Sequence, residues 1–171
     1  MKSDNLTSRN SSTNRLVSHL IFLILAMSSL VSCGKKAEYS DPTAPVRSLL
    51  EAQKNNDFEA YKKAFFYEPD ESFTQVNNDL GVISLSINKL ETSVPKTKWF
   101  IENYTDSELA KERGWTKEFI SGVVAVIAEY SVDYDNTKVP FQEGVLSQTF
   151  YVARESEDSP WLILDIESPH Q

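Results

Sequence analysis

Apolar positions along this chain change their spacing at Gly81, from a helical repeat to an alternating one. Before it, Val46, Leu49, Leu50 and Gln53 fall on one helical face. Phe58, Tyr61, Ala64 and Phe65 repeat the spacing after Asp57. Steps of three and four place side chains on one stripe of an α-helix. Asp41-Pro42 supplies a capping acceptor and a proline for the first turn. Asn55-Asn56 interrupts the pattern, and Asp57 caps a second helix running toward Glu68-Pro69. Residues 70–80 are polar with scattered apolar positions, which predicts a loop or a short helix.

After Gly81, Ile83, Leu85 and Ile87 alternate with Ser84, Ser86 and Asn88, the pattern of a half-buried strand. Val94-Pro95-Lys96 reads as a turn and residues 99–104 as a second strand. Asp106 opens a short helix over residues 107–113, which Gly114 ends. The longest strand covers residues 123–134, with Val124, Val126, Ala128, Tyr130, Val132 and Tyr134 on one face. Glu129, Ser131 and Asp133 share the other. Residues 146–154 pair back after a turn-rich connection, and residues 161–166 close the sheet. Helices followed by a strand meander predict an α+β domain, its N-terminal helices packed on a curved antiparallel sheet.

The remaining apolar stretch, residues 19–31, lies ahead of this domain and ends at Leu30-Val31-Ser32-Cys33. It is shorter than the roughly 20 apolar residues that a spanning helix needs. With Lys2, Arg9 and Arg15 before it, it has the layout of a secretory signal. Leu30-Val31-Ser32-Cys33 resembles the lipobox of bacterial lipoproteins. Cys33 is the single cysteine of the chain, so no intramolecular disulfide can form, and lipidation accounts for an unpaired thiol in an exported protein. The resemblance implies a cleaved signal peptide over residues 1–32, a diacylglyceryl thioether on Cys33, and palmitate among the acyl groups. Two or more acyl chains anchor stably where one holds only marginally. Residues 33–41, polar and patternless, read as a flexible tether, and residues 42–168 as the domain.

Charge narrows the partners. Lys2, Arg9, Arg15 and Asp4 precede Cys33, so cleavage takes Lys+Arg from 17 to 14 and Asp+Glu from 25 to 24, a net charge of −10. A body this acidic does not suit nucleic acid, whose phosphates demand a basic patch.

The order of the elements carries a second resemblance. The helix pair containing Pro45-Val46-Arg47-Ser48-Leu49-Leu50 and Asn56-Asp57-Phe58-Glu59-Ala60-Tyr61 looks like the start of the nuclear-transport-factor-2-like cone, also called ketosteroid-isomerase-like or SnoaL-like. Its close looks like Trp161-Leu162-Ile163-Leu164-Asp165. More narrowly, three segments are similar to Gram-positive lipoproteins of unestablished function. These are Glu108-Leu109-Ala110-Lys111-Glu112-Arg113-Gly114-Trp115, Glu129-Tyr130-Ser131-Val132-Asp133-Tyr134-Asp135, and Ser159-Pro160-Trp161-Leu162-Ile163. The resemblance implies a cone-like fold and an extracytoplasmic, membrane-anchored address.

Candidate chemistry is narrow. The two histidines are His19, in the signal, and His170 near the end, so the expected body lacks a base for Ser-His or Cys-His catalysis and the ligands of ordinary zinc sites. The five glycines are isolated, leaving no phosphate loop. Asp133, Asp135 and Asn136, and Glu155, Glu157 and Asp158, offer oxygen ligands without a calcium-loop spacing, and turn chemistry accounts for them more simply. No metal or cofactor is expected. Aromatic residues (Trp 3, Tyr 7, Phe 9) exceed what one small core needs. A filled core is the simpler expectation. A pocket between helices and sheet would be lined by Tyr61, Phe65, Trp99, Tyr130, Tyr134, Phe150, Trp161 and Asp165.

The expected function is a lipid-anchored extracytoplasmic binding domain at the bacterial cell membrane, non-catalytic, for a small ligand or an envelope protein. Two alternatives stand beside it. One is a cone-fold enzyme with a carboxylate base such as Asp165. The other is a protein-interaction or immunity-type envelope lipoprotein.

Overall fold

A computed structural model describes residues 40–69 and 79–170 of the chain. The expected signal peptide, Cys33, most of the expected tether and most of the 70–80 segment lie outside the described residues.

The first helix, α1 (Ala44–Lys54), begins where Asp41 accepts hydrogen bonds from the Thr43 amide and hydroxyl, with Pro45 in the first turn. It buries Val46, Leu49, Leu50 and Ala52. Asn56 ends the turn in the left-handed region (φ 51). Its side-chain amide then clamps Val82, donating to the carbonyl at 3.0 Å and accepting from the amide at 3.3 Å. Asp57 caps α2 (Phe58–Lys63) by accepting from the Ala60 amide. This helix is shorter than its spacing predicts. After it the chain straightens beside residue 163, where Ala64 accepts from the Ile163 amide and Phe66 donates to the Ile163 carbonyl.

Four antiparallel strands follow in the order of the chain: β1 (Val82–Thr92), β2 (Val124–Tyr134), β3 (Gly144–Ala153) and β4 (Leu162–Ile166). The α+β reading holds, with helices and a four-stranded antiparallel sheet. Three expectations need correction. The stretch predicted as a turn and second strand is instead a helix, α3 (Val94–Tyr104). Ser93 caps it, accepting from the Lys96 amide, and Pro95 lies in its first turn, where a missing N–H costs nothing. The helix is followed by α4 (Glu108–Arg113), stopped by Gly114 in the left-handed conformation, and α5 (Lys117–Ser121), which the pattern did not signal. The second correction is in β1. Register shifts at Ile83 and Asn88 break the alternation, so Val82 and Leu85 turn inward while Ile83 is 64 % exposed. A bulge moves one residue out of the ladder and reverses the faces beyond it.

The sheet is covered on both faces, not one. Val126, Ala128, Tyr130, Val132 and Tyr134 of β2 pack, with Phe150 and Ile163, against α1 and α2. On the opposite face Ala125, Tyr151 and Ala153 pack against Phe100, Ala110 and Ile120 of α3–α5. The strand period of two assigns alternate residues of β2 and β3 to different cores. Past Ile166 the chain keeps pairing with β3, through Glu167 to Thr149 and His170 to Ser147.

Candidate functional site

Between α1, α2 and the sheet lies a cavity of about 720 Å³, so the core is not filled at this end. Gln53 of α1, Tyr61 of α2, Tyr130 and Tyr134 of β2, and Leu146 and Gln148 of β3 form its walls. The loops at residues 79–80 and 138–142 and the segment 166–169 complete it. Each wall residue is placed by the period of its element. Tyr130 and Tyr134 are four apart on a strand, hence on one face. Gln53 continues the buried α1 stripe by one turn.

The polar groups here divide into spent and unspent. The Tyr130 hydroxyl donates to Gln148 Oε1 at 2.8 Å, and Gln148 Nε2 donates to the Glu167 carbonyl at 3.0 Å. Asp79 accepts from Lys138 Nζ at 2.7 Å and from the Gly81 amide, which holds its carboxyl below the usual range. Lys138 also lies 3.6 Å from Asp135. Among the described residues, the Tyr61 and Tyr134 hydroxyls have no hydrogen-bond partner. Burial raises the pKa of Tyr61, Tyr130 and Tyr134, so all three remain protonated. The hydroxyls are near enough to act on one another: ionised Tyr61 would oppose ionisation of both strand tyrosines.

Of the eight residues expected to line a pocket, the structure brings three together: Tyr61, Tyr130 and Tyr134. Phe150 lies fully buried in the adjoining core, and Phe65 packs on that core with its ring 5.2 Å from Tyr61. Trp161 is half-buried against the same core under the Arg154 guanidinium, 4.7 Å from the ring, and its buried Nε1 has no hydrogen-bond partner among the described residues. Trp99 belongs to α3 and is 47 % exposed on the other side of the sheet.

Asp165 is also on that other side, because it stands opposite Tyr151 in the β3–β4 ladder, and facing partners share a face. Burial raises its pKa against the Ile166 amide bond, which lowers it, and the Tyr104 hydroxyl is a further partner. Glu167 is turned the same way. Its carboxylate takes Lys96 Nζ at 2.8 Å and the Tyr151 hydroxyl at 2.5 Å. Burial pushes Glu167 up, but these bonds outweigh it and leave it below the usual range. Trp99 and Phe100 pack their rings against Tyr151, and Tyr104 stacks on Phe100 with centroids 4.2 Å apart. These carboxylates therefore serve a packed network between α3 and the sheet, away from the cavity.

The acidic turn at 135 serves its own loop: Asp135 accepts from the Thr137 amide and hydroxyl, an Asx-type turn, and Asn136 donates to Glu143. No group of His, Cys, Asp or Glu among the described residues is arranged to hold a metal ion. None of the described helices is long and apolar enough to cross a membrane.

A family model for a domain of unknown function, DUF4829, matches residues 45–166. The chain belongs to the DUF4829 family. Its match runs from the first turn of α1 to the end of β4, so both helix groups and all four strands fall within the DUF4829 domain. No curated protein and no solved structure matches the chain.

The residues that sequence reasoning missed are Gln148, Leu146 and the loop pair Asp79–Lys138. Gln148 had a signal: it is a polar residue two steps from Leu146 and from Phe150, at a core-facing position of an otherwise apolar strand face. Asp79 and Lys138 are 59 residues apart, and nothing local ties one to the other.

Proposed function

We propose that this chain is a lipid-anchored extracytoplasmic domain of a bacterial cell membrane, which holds a small ligand in the tyrosine cavity without transforming it. One observation carries this reading: a cavity of about 720 Å³ lined by Tyr61 and Tyr134, whose hydroxyls have no hydrogen-bond partner among the described residues. Ligand sites are typically clefts of about 300–1,000 Å³ with apolar walls and a few placed polar groups. The anchor reading rests on Leu30-Val31-Ser32-Cys33 and on Cys33 being the single cysteine. The cone reading draws support from α1 and α2 lying on one face of an antiparallel sheet, with the cavity between them.

Binding is favoured over catalysis by the position of the acids. A carboxylate base must reach the proton it abstracts. Asp165 is on the opposite face, Asp79 is paired with Lys138, and the Glu167 carboxylate is held by Lys96 and Tyr151.

Native mass spectrometry of the full-length protein taken from its own host tests the proposal. The expected spectrum carries a non-covalent adduct, lost in a Gln53→Trp variant whose added indole fills the cavity from a half-buried helix position. An adduct that survives Gln53→Trp places the ligand elsewhere. Co-purification with a second protein and no small adduct would favour the envelope-partner alternative.

A further inference from the structure

We infer that the cavity selects an uncharged molecule with an oxygen acceptor (carbonyl, ether or hydroxyl) on an apolar body of ring size, the acceptor being held by Tyr61 and Tyr134. The inference rests on the binding reading above and adds the ligand's chemical class.

It follows from an inventory of what the walls still have to offer. Gln148 has spent its carbonyl on Tyr130 and one of its N–H groups on Glu167. Both Asp79 oxygens are in use, one by Lys138 and one by the Gly81 amide. Lys138 faces two carboxylates, Asp79 at 2.7 Å and Asp135 at 3.6 Å. What is left is uncharged: the phenolic O–H groups of Tyr61 and Tyr134, which burial keeps protonated, and the side chains of Gln53, Gln142 and Ser168. A phenol is both donor and acceptor, and the oxygen of a neutral ligand satisfies it directly. The apolar part of the lining is Leu80, Val139, Leu146 and Ile166, with Phe141 edge-on to Tyr134 at 5.4 Å.

Charge on the ligand is disfavoured in either sign. An anion would leave water for a site where Lys138, the one cation among the described lining residues, already serves two acids, and burying an ion without a partner is costly. Among the described lining residues a cation would meet no free carboxylate, because Asp79 is paired with Lys138 and the Glu167 carboxylate is on the other face. An oxygen-free hydrocarbon would leave two phenols buried against it, unpaired.

The test uses the full-length protein in vesicles and three fluorinated naphthalene probes of one skeleton: a methyl ketone, a carboxylate and an ammonium. Fluorine NMR line broadening reads binding, and the Tyr61→Phe/Tyr134→Phe variant in the same vesicles corrects for partition into lipid. The ketone is expected to bind the wild type about tenfold more tightly than the double variant, the loss of two modest hydrogen bonds. Both charged probes are expected to bind at least about tenfold more weakly than the ketone. A charged probe that binds as well as the ketone, or a ketone indifferent to the double variant, overturns the inference. If the Gln53→Trp variant still abolishes probe binding in that case, the cavity reading survives and only the ligand class fails. Ketone binding unchanged by Gln53→Trp removes the cavity reading as well. No binding by any probe overturns the ligand class, with the native mass measurement deciding the cavity independently.

Discussion

Tyr130 and Gln148 are joined across β2 and β3 by a 2.8 Å hydrogen bond on the floor of the cavity. The same Gln148 reaches on to the Glu167 carbonyl, so one amide ties β2, β3 and the segment after β4. Replacing it by Leu strands a buried phenol and a carbonyl, and each unsatisfied buried group costs about 1–3 kcal/mol. Gln148→Leu is expected to be destabilised by more than Tyr130→Phe, which removes one bond and leaves Gln148 half satisfied. In urea denaturation the double variant should cost less than the two single changes together. Strict additivity would mean that the bond contributes nothing in solution.

Asp165 gives a prediction whose sign depends on pH. Burial raises its pKa above the ordinary value of 3.8, and the folded state therefore holds the proton to higher pH than the unfolded chain does. Stability from this group is then lost as pH rises from the ordinary carboxylate value through the raised folded one, and is constant above that. Asn cannot ionise, and its carbonyl can still accept from the Ile166 amide. Asp165→Asn is expected to melt higher than wild type at neutral pH, with the gap closing as the solution is acidified. A melting temperature equal to wild type at every pH would show that the carboxylate is solvated.

Gly81 tests the cavity rim. Its φ of +68 lies in the left-handed region, and a Cβ added there would sit 2.5 Å from Val139 Cγ2. The conformation alone costs an L-residue about 1–2 kcal/mol, and the contact adds to it. Gly81→Ala should lower stability by at least that amount. Adding Val139→Ala should relieve the contact and leave the backbone cost, so the pair of variants separates the two causes. Full recovery in the double variant would mean that backbone strain is negligible here.

How far the fold could be read from the chain depended on whether the deciding contact was local. Asp57 and Gly114 act within one helical turn, and α2 and the end of α4 were legible from them, although Ser107 and not Asp106 caps α4. Ser93-Val94-Pro95-Lys96 is equally local, yet the apolar run Trp99-Phe100-Ile101 outweighed it in the reading. Phe100 and Tyr104, four apart and stacked at 4.2 Å, are the helical signal that was there to be used. The β1 bulges leave no mark, since Ile83 and Val82 are both aliphatic and only the pairing with β2 decides which turns inward. For the site, Tyr130 and Tyr134 followed from strand period, and Tyr61 from helical spacing. Trp99 and Asp165 were misplaced for one reason. Placing them requires knowing that α3–α5 cover the second face of the sheet, which no local pattern states.

The last prediction concerns the anchor. Cys33 follows an apolar stretch shorter than a spanning helix needs, so the proposed lipoprotein reading makes attachment depend on lipid added to its sulfur. Each buried CH₂ contributes about 0.8 kcal/mol, and a diacylglyceryl group therefore suffices where a single chain would exchange. On the same reading, the net charge of −10 that cleavage would leave gives the body no attraction of its own to an anionic bilayer. Lipid attachment should then depend on one atom. Cells fed labelled palmitate are expected to label the wild-type protein, and the N-terminal peptide should begin at Cys33 with the mass of a diacylglyceryl group. Cys33→Ser should carry neither label nor added mass, while its melting transition stays that of the wild-type domain, because the thiol lies ahead of α1. Wild-type protein that stays with the membrane yet carries no lipid at Cys33 would refute the lipoprotein address.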